Sequence, residues 1–178
     1  MITQYIKGDI VEIFRLGNDI AHGCNCFCVM GAGVAAQLAE NFKQIYAIDK
    51  DTKSGDLEKL GDYTFATHDN DHNVCFNLYT QFNPGANVDY GAIFNAFYSI
   101  RHIRRNLARP LYIPRIGAGI AGGDWKIIEK LINLATPDVN IIVVDYCPNP
   151  VVLDSGETIS LDFLENADTI KRDPKRLP

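Results

Sequence analysis

A chain of 178 residues, 47% hydrophobic and 22% charged, has the composition of an ordinary folded domain, with room for one core and no second full-size domain. Its net charge of -5 argues against general nucleic-acid binding, and no apolar run approaches the length of a membrane span, so neither partner is expected. The opening residues lack a basic stretch followed by an apolar one, so the expected location is cytoplasmic, with the five cysteines as free thiols.

Residues 3–7 alternate polar and apolar side chains as an opening strand should, and Gly8 ends it. Asp9 and Glu12 have the spacing of a capping box for a short helical turn through Val11 and Phe14. Residues 19–25 read as a second strand, followed by Met30-Gly31-Ala32-Gly33-Val34 and one helix with Val34, Leu38, Phe42 and Ile45 on a single stripe. Cys24, Cys26 and Cys28 would share one face if the strand ran through them. A zinc site there would need His22 or Cys147 as well, and the spacing lacks the usual CxxC knuckle, so no metal or other cofactor is expected.

Residues 50–61 are charged and broken by glycines, as in a surface connection. Residues 62–67 and 74–82 read as paired strands closed by Asn83-Pro84-Gly85, and residues 88–109 as a long amphipathic helix bearing Tyr90, Ile93, Phe97 and Ile100. Arg101, Arg104, Arg105 and Arg109 fall in its last turns, where cations complement the helix dipole. A strand over residues 111–116 then feeds a second glycine loop, residues 117–123, and a helix with Trp125, Ile128, Leu131, Ile132 and Ala135 on one face. Residues 140–146 form the continuous apolar run of a strand buried on both faces. Alternating strands and helices predict an α/β fold with a mixed, largely parallel central sheet over residues 1–147. Residues 148–178 are expected to be a C-terminal extension, with a small element at 159–164 and a mobile tail.

Two strand–glycine–helix units in one small domain, both expected at the C-terminal edge of the sheet, point to one shared anionic ligand. Glycine lets backbone N–H groups converge and lets the chain approach a diphosphate closely, although the same glycines could serve only as tight turns. The first loop also fits GxGxxA, the dinucleotide pattern, but it follows the second strand, and no acidic strand end lies about 20 residues on.

Lys7-Gly8-Asp9-Ile10, the run from Ala21 through His22, Cys24 and Asn25 to Cys26, the first glycine loop, and Ile113-Pro114-Arg115-Ile116-Gly117 with Trp125 together resemble the macrodomain family. The resemblance covers residues 1 to about 147 and is strongest to the branch holding the yeast-type ADP-ribose 1″-phosphate phosphatase and the terminal ADP-ribose protein glycohydrolases. It implies a three-layer α/β/α macrodomain that takes ADP-ribose or ADP-ribose 1″-phosphate. Asp9 and Ile10 would meet the adenine, although Asp9 also suits a helix cap, and Tyr146 would lie near the adenine or in the core. Gly31, Ala32, Gly33, Val34 and Ala35 would wrap the distal ribose and diphosphate. Pro114, Arg115, Ile116, Gly117, Ala118, Gly119, Ile120 and Ala121 would close over the phosphates from the other side.

The expected activity is release of the terminal phosphate of ADP-ribose 1″-phosphate, with His22 as proton-transfer group, Asn25 on the distal ribose or the attacking water, and Asp124 activating water or capping the next helix. His22 also suits a core position. The alternatives are a non-catalytic ADP-ribose reader and an ADP-ribosyl hydrolase lacking a lysine-aspartate pair. Relatives with lysine-aspartate chemistry carry those two groups where this chain has Gln81 and Ala121, and neither residue can play either part.

Overall fold

The computed structural model describes residues 1–68 and 73–147. In chain order the strands are β1 (Ile2–Gly8), β2 (Asp19–Asn25), β3 (Tyr63–Thr67), β4 (Val74–Gln81), β5 (Leu111–Ile113) and β6 (Ile141–Tyr146). The helices are α1 (Ile10–Arg15), α2 (Gly33–Asn41), α3 (Lys43–Lys50), α4 (Tyr90–Arg104) and α5 (Trp125–Ala135). The strands form one sheet in the order β1-β6-β5-β2-β4-β3. Every neighbouring pair is parallel except β3 with β4. This is the mixed, largely parallel sheet expected from the alternation of strands and helices.

Period-two alternation sends the strand side chains to two separate cores. Ile142 and Val144 of β6, with Ile20 and Cys24 of β2, pack under α1, α2 and α3 through Phe14, Leu38 and Ile45. Ile141 and Val143, with Ala21, Leu78 and Ile113, pack under α4 and α5 through Ile93, Phe97, Ile128 and Ile132. Two helical layers on the two faces of the sheet make the three-layer α/β/α architecture. No helix among the described residues is long and apolar enough to cross a membrane.

Three expected elements are shorter or divided. The single helix from Val34 through Ile45 is two helices, because Phe42 leaves helical geometry at φ -132° and ψ 87°. Its ring turns into the core and meets Phe14 edge-to-face at 4.8 Å. The helix expected to run to residue 109 ends at Arg104, whose guanidinium folds inward onto Asp19 and donates to Arg109 O of the returning chain at 2.8 Å. Arg109 reaches the same carboxylate at 2.8 Å and Arg101 pairs with Asp138, while Arg101 and Arg104 occupy the last turn of α4 as expected. The strand expected over residues 111–116 stops at Ile113, because Pro114 has no N–H to extend the ladder. The element expected at residues 159–164, like the whole extension from residue 148, lies outside the described residues.

Candidate functional site

β2, β4 and β5 all end at one edge of the sheet, and the chain leaving β2 and the chain leaving β5 run into the two glycine loops. They enclose a cleft of about 510 Å³, within the range of small-molecule sites. Gly31, Ala32, Gly33, Val34 and Ala35 form one wall; Pro114, Arg115, Ile116, Gly117, Gly119, Ile120 and Ala121 form the other. The walls meet, since a Cβ on Gly33 would lie 3.2 Å from Ile120 Cδ1.

Each wall offers unpaired backbone donors. α1, α4 and α5 are all capped by an aspartate side chain, from Asp9, Asp89 and Asp124. α2 starts after Ala32 with no side-chain cap, so its first-turn N–H groups and the positive end of its dipole face the cleft unanswered. Opposite, Gly117 and Gly122 both adopt φ 77°, a left-handed geometry that favours glycine. They fold the loop into turns closed by Ala118 N–H to Arg115 O at 3.1 Å, Gly122 N–H to Gly119 O at 3.0 Å and Gly123 N–H to Gly117 O at 2.8 Å. The N–H groups of Gly119, Ile120 and Ala121 have no backbone acceptor among the described residues. A bound anion between the walls would meet donors from both sides.

The titratable groups bordering this cleft are few. His22 is 1% exposed, and its Nε2 shares a 2.7 Å hydrogen bond with Asn77 Oδ1. Burial pushes its pKa down, against the opposing pull of that hydrogen bond. Burial likewise pushes the Cys24 thiol well up, leaving a neutral sulfur. Arg115 is held by Asp145 through two hydrogen bonds of 2.6 and 2.9 Å, which raise the guanidinium's pKa and lower the carboxyl's. Its guanidinium also sits over the rings of Tyr5 and Trp125, at 5.3 and 5.4 Å. No lysine or carboxylate among the described residues lines the cleft.

Several expected site residues are engaged elsewhere. Asp124 is not a lining residue: its Oδ1 accepts from Lys126 N–H at 2.8 Å, the cap that competes with a water-activating role. Asn25 borders the cleft, but its Nδ2 donates to Val29 O at 2.7 Å and its Oδ1 accepts from Phe27 N–H at 3.0 Å. It shapes the turn into the first glycine loop. Asp9 caps α1 through Val11 N–H at 2.8 Å and Ile10 is buried in the core. Neither they nor Ala118 and Tyr146 line the cleft. Tyr146 is 63% exposed and pairs in register with Gly8, which keeps it at the same sheet edge as Asp9. Gln81 spends its Nε2 on Asn83 O and Gly85 O, at 2.8 and 3.1 Å.

The sequence reading missed Gly23 and Thr80 on the floor. A Cβ on Gly23 would stand 2.9 Å from Thr80 Oγ1 and 3.2 Å from Ile116 Cγ2, so the close approach of β2 to β4 requires glycine there. Thr80 Oγ1 is buried with no hydrogen-bond partner among the described residues. The polar pair Thr80-Gln81 closing β4 was the available signal. The zinc set does not assemble: β2 ends at Asn25, Cys28 lies beyond it at φ 58°, and no group of three metal-ligating side chains gathers among the described residues.

No family model matches the chain. It is 47% identical over 156 residues to an uncharacterised 17.5 kDa protein from the tk-vs intergenic region of enterobacteria phage T4, covering 83% of this chain and 99% of that protein. A solved macrodomain protein from Streptomyces coelicolor superposes with TM-score 0.63 at 25% identity, over 83% of this chain and 100% of that one. Thermosipho africanus DarTG, solved in complex with ADP-ribose, superposes with TM-score 0.64 at 17% identity, over 90% of this chain and 45% of that one. Together with a cleft built from the two glycine loops, these likenesses show that the chain has the macrodomain fold.

Proposed function

We propose that the cleft binds ADP-ribose, with the diphosphate between the uncapped start of α2 and the N–H groups of residues 119–121. The observation that carries this reading is the convergence of the two sets of donors from facing walls. The DarTG neighbour solved with ADP-ribose supports the choice of ligand. The ends of β1 and β6, with Asp9 and Tyr146, would flank the adenine.

A second reading is hydrolysis of ADP-ribose 1″-phosphate. It is favoured over lysine-aspartate glycohydrolysis because Gln81 and Ala121 hold those positions, whereas attack of water on a phosphate cradled by backbone N–H groups requires neither. The geometry supports binding more firmly than turnover, since Asp124 and Asn25 are engaged and His22 is buried. Incubation with ADP-ribose 1″-phosphate, followed for free phosphate alongside calorimetric titration with ADP-ribose, separates the readings. Binding with phosphate release supports the phosphatase, binding alone the reader, and absence of binding sinks both. Gly33→Val sits at φ 60° against Ile120, and we expect it to weaken ADP-ribose binding by at least about tenfold.

A further inference from the structure

Beneath the turn that leads from β2 into the first glycine loop lies a polar cluster that ADP-ribose binding does not use. Lys59 is 9% exposed and Cys28 is 5% exposed, and Lys59 Nζ lies 3.2 Å from Cys28 Sγ. Buried lysines normally sit on a carboxylate. Here Asp49 is available, yet Nζ stands 3.6 Å from its Oδ1, while Asp49 Oδ2 is buried without a hydrogen-bond partner among the described residues. Besides this ion pair, the nitrogen donates to the sulfur and to the Thr52 hydroxyl. The Cys28 S–H donates to Asp49 O at 3.1 Å, which leaves a sulfur lone pair for Nζ. Cys28 is also the one non-glycine residue with a left-handed φ among the described residues, a geometry that keeps its side chain turned inward. No other cysteine there has a lysine Nζ within hydrogen-bond distance.

We propose that Cys28 and Lys59 form a covalent modification site, in which a peroxide-class oxidant inserts one oxygen atom between Sγ and Nζ. The first peroxide oxidises the thiol to a sulfenic acid and leaves as water. The second completes the bridge: the lysine N–H and sulfenic O–H bonds break, an N–O bond forms, and the peroxide is reduced to water. Overall one thiol, one amine and two peroxides give the S–O–N bridge and three waters. A lysine that starts as ammonium releases one proton to solvent before this step. Two molecules of a dithiol reductant reverse the change, returning thiol, amine and one water. The bridge ties the turn before the glycine loop to the segment after α3. Val29, the next residue, lines the cleft, so the bridge fixes one wall of it.

The test uses the full chain, treated with hydrogen peroxide, digested and analysed by mass spectrometry. The expected product joins the Cys28 and Lys59 peptides with the gain of one oxygen and the loss of two hydrogens, and dithiothreitol separates them. Lys59→Arg keeps a cation but yields no linked product, and its thermal midpoint shows that it is folded. Peroxide treatment that oxidises the half-buried Cys147 while Cys28 stays unlinked, or advances only to sulfinic acid, overturns the proposal. Neither result depends on whether the cleft takes ADP-ribose.

Discussion

A histidine at the sheet edge beside two glycine loops invites a proton-transfer role, but the atoms around residue 22 favour a structural one. Its imidazole lies on the α3 side of the sheet, fixed by Asn77, whose Nδ2 in turn donates to Ile45 O and Thr64 Oγ1, both at 3.1 Å. Burial disfavours the imidazolium in the folded chain, so the folded pKa falls below the ordinary 6.5. The sign follows: below about pH 6.5 the unfolded chain takes up a proton that the folded chain refuses, so stability falls with falling pH there and is unaffected above. We expect urea midpoints measured from about pH 7.5 down to 5 to fall more steeply for the native chain than for His22→Gln, by up to about 1.4 kcal/mol per pH unit. Equal slopes would show that His22 titrates as a solvated group. His22→Ala should also cost stability on the order of 2 kcal/mol, because it opens a cavity and leaves Asn77 Oδ1 unpaired.

Elements whose bounds depend on local signals were legible in the sequence. β2 runs from Asp19 to Asn25 as its pattern predicts, and α5 starts at Trp125 behind the cap of Asp124 and stops before Pro137. The division at Phe42 was not legible, because a phenylalanine on the apolar stripe satisfies helical periodicity, and its exit is decided by contact with Phe14, distant in the chain. Arg104 reads like a solvated helix end, yet it is 2% exposed, and the partner that draws it inward lies in β2. The glycine loops announced the cleft, while Thr80, next to last in a strand that also carries Asn77 and Gln81, gave only a faint sign. Two substitutions separate these roles. Arg104→Leu strips Asp19 of its buried partner and should destabilise the chain by about 3 kcal/mol, the lower end for such losses because Arg109 remains. Asp124→Ala removes only a cap, costing about 1 kcal/mol in chemical denaturation while ADP-ribose affinity stays unchanged. Loss of affinity in that variant would return Asp124 to the site.

At the scale of the molecule, the described residues, 1–68 and 73–147, by themselves supply a six-stranded sheet, two cores and a lined cleft. The last described contact, Cys147 N–H to Gly8 O at 2.8 Å, ties the end of β6 to the turn that begins α1. The phage T4 relative is matched over 99% of its own length by 83% of this chain. A cooperative fold needs its core and its paired strands, and ligand binding needs the two walls of the cleft. A chain ending after residue 150 is therefore expected to unfold in one transition and to bind ADP-ribose within about twofold of the full chain, since a twofold change is only about 0.4 kcal/mol. Scanning calorimetry and titration of the two chains side by side measure both. A tenfold loss of affinity with the unfolding transition unchanged would place residues after 150 in the binding site and break the division at residue 147.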